Sequence, residues 1–374
     1  MPTVCIDCRY VGDKPSGIGT VVSALADYCP ALAPDWTFLL LRHPARRTPL
    51  SVLPNVREIT LAAESNGPAS MWWLPRLVDL DGVDLFHAPA NILPRGLSMP
   101  CVATIHDTMW LTTPDLCNSR PWGRIERLFY RNGMRRALDR SHAIITVSEA
   151  TRSDVLELRP EVGDRTFACM PAPSAAFRPQ PVREQDLASL GLTTRRFVLT
   201  VGQDAPYKNH DQALRAFAAA FAGDPEMALV LLQRRGRGEQ RLGGLARELG
   251  IERQVLFLSE VTEAKLRNLY CAALALLHPS LHEGFGMPLA EAMACGCAVI
   301  TSDRSAMPEV AGGAALLVDP HDTDAIARAL RSIAESPDIA SDLRERGLRR
   351  ASEFDKRSFA RGNLDVYRRV FGVR

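Results

Sequence analysis

Lysine is nearly missing from this 374-residue chain: Lys14, Lys208, Lys265 and Lys356 stand against 41 arginines. A lysine at a motif position therefore carries more weight than usual. Also missing is any apolar run near the roughly 18 residues that an α-helical membrane span needs. The N-terminus leads straight into a strand-like segment with no basic, apolar leader, so a cytoplasmic protein is expected. Charge of one sign is lacking too: the formal net charge is only +2, which makes no case for nucleic-acid binding. Nine cysteines are present, but no second CxxC accompanies Cys5-Ile-Asp-Cys8. A zinc site of that spacing needs the second pair. Most of the cysteines sit in apolar surroundings, and reduced, buried thiols are the expectation.

What is present is ordinary globular material, 46% hydrophobic and 24% charged, at a length that exceeds one core. Short apolar segments alternate with helix-like ones, which predicts an α/β protein with parallel sheets covered on both faces. TVCID (3–7), WTFLLL (36–41), VREITL (56–61), VDLFHA (83–88), CVATIHD (101–107) and AIITVS (143–148) read as strands of a first half. Residues 171–190 hold four prolines with weak periodicity and read as a linker. The alternation then restarts with RFVLTVG (196–202), MALVLLQ (227–233), VLFLS (255–259), LALLHPS (274–280), CAVITSD (297–303) and AALLVDP (314–320). Two doubly wound domains are expected, 1–175 and 176–354. Ligands of such sheets bind beyond the carboxyl ends of the strands.

The strand at 274–280 runs into HEGFGMPLAE, residues 282–291, where Pro288 marks a helix start. That places Glu283 in a loop and Glu291 within the first helical turn. Gly284 and Gly286 let a ligand approach the backbone, and the helix N-terminus favours an anion. A carboxylate one turn in can accept bonds from two vicinal hydroxyls. The same pair can equally be a dipole-complementing acid and a solvated loop acid. VGQDAPYKNHDQALRAF, 201–217, supplies a strand, a loop, the rare Lys208, and Asn209 as N-cap of an amphipathic helix. In the first half, Ser16-Gly17-Ile18-Gly19 lacks the third glycine of a dinucleotide fingerprint, Val22 standing in its place. Thr104-Ile105-His106-Asp107 ends a strand, so His106 either donates to a ligand hydroxyl or is a packed histidine.

Arg120, Arg124, Arg127, Arg131, Arg135, Arg136 and Arg140 crowd one helical segment, interleaved with Trp122, Phe129 and Tyr130. The segment either rests on anionic lipid or is a solvated helix face. Trp72-Trp73 can join that region or the core. Asp79-Leu80-Asp81 and Asp322-Thr323-Asp324 spell DxD, but one reads as a turn and the other as a helix start, which speaks against a metal-dependent site.

Together these motifs, in this order and over most of the chain, resemble the retaining GT-B glycosyltransferases of family 4. The resemblance implies two facing Rossmann-like domains with a cleft between them, and a last segment, 355–374, packing back on the first. It implies that Glu291 holds a ribose and that Glu283 contacts the donor sugar. Gly284, Phe285, Gly286, Met287, Pro288 and Leu289 would carry the diphosphate, and Lys208 would neutralise it. Gly17 and Gly19 would approach the donor phosphates, His106 would touch the transferred sugar, and His87 and Asp107 would lie on the acceptor side. Glu309 and Gly312 fit the family's P-E-x-x-G-x-x-A stretch. Two positions depart from the pattern: Gln203 and Tyr207 stand where arginines are usual, with Arg234 or Arg235 as candidate replacements.

SGIG, TIHD and KNH are similar to bacterial polysaccharide mannosyltransferases. That implies GDP-mannose as co-substrate, with a UDP-sugar the alternative, and a saccharide or lipid-linked acceptor without metal or other cofactor. The leaving diphosphate would then serve as base, with attack from the same face. The rival readings are a UDP-sugar 2-epimerase and a non-catalytic partner protein on the same scaffold.

Overall fold

The computed structural model describes residues 1–12, 16–117, 123–192, 196–233 and 237–372. The chain divides into two compact units. The first comprises Met1–Pro114, Arg120–Ala172 and Phe354–Arg374, and the second is built mainly from Pro173–Glu353.

The first unit holds seven strands: β1 (Thr3–Asp7), β2 (Thr37–Arg42), β3 (Val56–Thr60), β4 (Leu85–Ala88), β5 (Cys101–Ile105), β6 (Ala143–Thr146) and β7 (Thr166–Ala168). All neighbours pair in parallel, in the order β3-β2-β1-β4-β5-β6-β7. The second unit repeats the plan with β8 (Arg196–Val201), β9 (Met227–Leu232), β10 (Val255–Leu258), β11 (Ala275–His278), β12 (Val299–Ser302) and β13 (Leu316–Val318). Its order is β10-β9-β8-β11-β12-β13, again fully parallel. Each order reverses direction once, between β1 and β4 and between β8 and β11. At such a reversal the flanking loops part and open a crevice at the carboxyl edge.

Central strands are buried on both faces, which is why β9 reads MALVLL without alternation. The edge strands β3 and β10 are only half-buried. The helix Lys356–Val370 packs against Gly17–Leu32 within the first unit. There Tyr367 is fully buried and the Cys29 thiol lies against the Ala360 carbonyl.

Among the elements that escape the sequence reading are β7 and the helices Pro68–Leu77, Glu149–Leu158 and Pro337–Ala351. The first helix carries Pro68 at its start and Pro75 inside, so its sequence reads as a breaker. Asp79 accepts from the Asp81 amide in a turn, and Asp322 caps the helix Thr323–Glu335. No group of three potential metal ligands occurs among the described residues. Nor is any helix there long and apolar enough to cross a membrane.

Candidate active site

At the β8–β11 reversal two loops meet, residues 202–209 after β8 and 279–286 after β11. Lys208 closes a short 3-10 turn, Pro206–Lys208, and its ammonium turns back over the sheet edge to Glu283. Lys208 Nζ donates to Glu283 Oε1 at 2.6 Å. His278 Nε2, at the end of β11, meets the same oxygen at 3.0 Å, and Ser280 Oγ donates to it at 2.9 Å. Oε2 carries none of these bonds. The loop backbone is clamped as well: Ser305 Oγ accepts from the Glu283 amide at 2.8 Å and donates to its carbonyl at 2.9 Å.

The electrostatics follow from this packing. Burial alone would push the Glu283 carboxyl up, but the Lys208 ammonium and the His278 contact outweigh it and hold the acid well below the usual carboxylate range. Burial alone would lower the Lys208 ammonium, and the Glu283 charge reverses that and raises it. His278 is fully buried and shifted down, so it is a neutral Nε2–H donor. Glu283 is thus a fixed anion and a poor proton acceptor.

Glu291 sits differently from expectation. The helix runs Met287–Ala294 with Pro288 in second place, so Glu291 falls in the second turn rather than the first. It is too deep to complement the helix dipole. Instead it faces the helix Glu263–Ala272, whose Tyr270 hydroxyl donates to Oε2 at 3.0 Å. Burial pushes the Glu291 carboxyl up to about 8. Gly286 precedes the helix at φ +85° and supplies no side-chain cap, leaving the helix end open to an anion. A Cβ there would lie 2.5 Å from Met307 Cε. Gly284, Phe285, Met287 and Leu289 are buried beneath this turn, and Pro288 is half-buried.

Asn209 does not act as a side-chain N-cap of His210–Phe221. Its amide donates instead to the Pro279 and Pro320 carbonyls, at 3.0 and 2.8 Å, tying the two loops together. Gln203 is exposed and donates to the Tyr207 hydroxyl at 3.4 Å, and the Tyr207 ring lies 5.1 Å from Lys208 Nζ. The two departures from the family pattern therefore form one contact, a polarised ring against the lysine. Arg234 and Arg235 lie outside the described residues.

In the first unit, Ser16 caps Gly17–Leu32, accepting from the Gly19 amide at 3.0 Å. Gly19 is where a side chain would collide: its Cβ would stand 2.8 Å from Ser16 Oγ, whereas a Cβ at Gly17 would meet nothing within 4 Å among the described residues. His106 Nε2 donates to the Pro89 carbonyl at 2.8 Å, and burial pulls its pKa down to about 4. The ring is neutral and its Nδ1 can only accept, which corrects the expectation of a donor. Asp107 accepts from the Met109 amide at 3.0 Å and starts a short helical turn. His87 is a correction. It is fully buried, with Nδ1 2.6 Å from Tyr367 Oη and Nε2 2.8 Å from Thr104 Oγ1. Both nitrogens are used, so His87 is a packing residue and not an acceptor contact.

His278, Ser280, Tyr270 and Ser305 went unassigned in the sequence. Only His278 and Ser280 leave a trace there, as polar residues abruptly ending an apolar strand. Tyr270 and Ser305 reach the site from other elements and leave none.

Two Rossmann-like units, one carrying a buried Lys–Glu pair and an open helix N-terminus at its topological reversal, define a GT-B glycosyltransferase. Residues 15–163 match the model of Glycosyltransferase Family 4, and residues 182–350 match that of Glycosyl transferases group 1. The chain belongs to this family, the group 1 glycosyl transferases of family 4. It is 29% identical over 287 residues to the O-antigen chain mannosyltransferase B of Escherichia coli, covering 76% of this chain and 74% of that one. The serotype-specific mannosyltransferase WbdA of Escherichia coli is 28% identical over 250 residues, covering 65% of this chain but only 31% of that longer protein. The sucrose-phosphate synthase of Thermosynechococcus elongatus superposes with a TM-score of 0.75 at 22% identity, covering 99% of each chain, and shares the fold.

Proposed function

We propose that this protein transfers mannose from GDP-mannose, with retention of configuration, to a saccharide or lipid-linked saccharide in the synthesis of a cell-surface polysaccharide. The observation that carries the reading is the Lys208–Glu283–His278–Ser280 cluster beside the uncapped end of Met287–Ala294. The amides of that helix end and Lys208 seat a diphosphate. Glu291 accepts from the ribose hydroxyls, and Glu283 Oε2 accepts from a hydroxyl of the sugar. The similarity to two mannosyltransferases supports the sugar.

The pinned Glu283 is too weak a base to deprotonate an acceptor. The leaving diphosphate takes that proton instead, and Lys208 and the helix dipole stabilise its developing charge. The residues described need no metal or further cofactor for these roles. Incubation with GDP-mannose and a lipid-linked mannoside should give an α-linked product by NMR. A β-linked product would refute retention, and an epimerised nucleotide sugar formed without acceptor would favour the epimerase.

The arginine-rich helix Gly123–Arg140 supports a second part of the reading, that the protein works at a membrane surface. Ile125 and Leu128 are about two-thirds exposed, and the half-exposed Trp72 packs edge-on against Phe129 at 5.8 Å. Trp73, Arg76 and Leu77 extend the same surface. Arg131, Arg135, Arg136 and Arg140 line a cavity of about 460 Å³ beside it. Indole rings with adjacent guanidinium groups suit an anionic headgroup layer. Sedimentation with phosphatidylglycerol vesicles should capture the protein, and Trp72→Ala/Trp73→Ala should release it. Equal capture by neutral vesicles would contradict the electrostatic part. Arg120 and Trp122 lie outside the described residues.

A further inference from the structure

A second cavity, about 360 Å³, opens at the carboxyl ends of β9 and β10, lined by Gln233, Glu239, Phe257, Leu258 and Ser259. None of these was singled out by the sequence motifs. Gln233 is 6% exposed, yet neither Oε1 nor Nε2 of its carboxamide has a hydrogen-bond partner among the described residues. Leaving both halves of a buried amide unpaired is costly, on the order of 1–3 kcal/mol per group. Native proteins seldom tolerate this away from sites that bind something.

The position of that amide is fixed by the sheet. The Gln233 backbone N–H donates to the Leu258 carbonyl at 3.0 Å, and the Gly202 amide donates to the Leu232 carbonyl at 3.0 Å. Gln233 therefore stands beside the root of the Lys208 loop, one strand over, a spacing of about 4.8 Å. Glu239 enters from the first turn of the helix Arg237–Glu248 as an exposed carboxylate on the same cavity. A nucleoside diphosphate seated at Lys208 and the Met287 helix could run along this edge, which would bring its base over β9 and β10.

We infer that Gln233 and Glu239 select guanine as the base of the donor nucleotide. The inference rests on the reading above that the site takes a nucleoside diphosphate. Its chemistry is the order of groups on the base edge. Guanine presents an acceptor, O6, followed by two donors, N1–H and N2–H. The Gln233 Nε2–H group meets O6, and the Glu239 carboxylate accepts from N1–H and N2–H together. Uracil has a single N–H between two carbonyls, so one carbonyl would face the carboxylate lone pairs. Adenine and cytosine present a donor beside a ring acceptor and repel the carboxylate at that acceptor. An unpaired or opposed polar group at such a site discriminates far more strongly than a change of size.

The test is isothermal titration of GDP and UDP into the full chain as wild type, Gln233→Leu and Glu239→Gln. Wild type should bind GDP at least about tenfold more tightly than UDP. Each substitution should weaken GDP about tenfold while moving UDP less than about twofold, the loss expected for one hydrogen-bonding partner. Glu239 is exposed, so its variant folds. Gln233→Leu removes two unpaired polar atoms from the interior and should melt no lower than wild type. An unchanged GDP-to-UDP ratio in both variants, or a wild-type preference for UDP, overturns the guanine assignment and leaves the glycosyltransferase reading standing. Failure of wild type to bind either nucleotide overturns both.

Discussion

Lys208→Met is expected to destabilise the second unit by on the order of 3–5 kcal/mol and to abolish binding of a nucleoside diphosphate. Breaking a buried ion pair from one side strands the other charge, and that loss exceeds what the intact pair contributes. Here the stranded group is Glu283, whose Oε1 takes Lys208, His278 and Ser280 together. The neutral His278 cannot replace the lost charge. The measurement is a double-mutant cycle by urea unfolding. Lys208→Met/Glu283→Gln should regain most of the stability lost in Lys208→Met, because the uncompensated charge is gone, while nucleotide binding stays absent. Strictly additive single effects would show that the pair is not coupled and would sink this account.

Glu291→Gln should have opposite effects on stability and on binding. The native carboxyl is held near pKa 8, against an ordinary value of 4.5 when the chain is unfolded. A raised acid contributes its stability below 4.5 and loses it as pH rises through 8, because the unfolded state gives up its proton first. The glutamine side chain has no proton to lose and keeps an acceptor for the Tyr270 hydroxyl. The variant should therefore match wild type near pH 4.5 and exceed it by on the order of 2–4 kcal/mol at pH 8 and above. Nucleotide binding should fall about tenfold, since a neutral amide accepts ribose hydroxyls less strongly than a carboxylate. Wild-type affinity should itself rise between pH 6 and 8, with proton release seen as a dependence of the binding heat on buffer. Parallel melting curves for the two proteins across pH 5 to 8 would remove the basis for a perturbed Glu291.

Both predictions concern residues visible in the sequence whose charge states were not. HEGFGMPLAE declared a loop, a helix start and two acids, because glycine, proline and carboxylate have local meanings that need no partner. The second-turn position of Glu291 was misjudged by one residue of helix phase, and that residue separates a dipole complement from a buried acid. His87 misled for a related reason. A histidine near a strand end looks alike in sequence whether Tyr367, 280 positions later, has already occupied its nitrogen or not.

The alternation of short apolar strands with helices determined by itself that two parallel, doubly wound sheets would form, since strands buried on both faces need continuous apolar runs. The motif order determined the family. Tertiary structure alone decided protonation: that Glu283 is a pinned anion, Glu291 a raised acid, and His106 an acceptor. It alone exposed the unpaired Gln233. Charge states and unmet hydrogen bonds depend on what surrounds a group in space, and those neighbours come from strands and loops far apart along the chain.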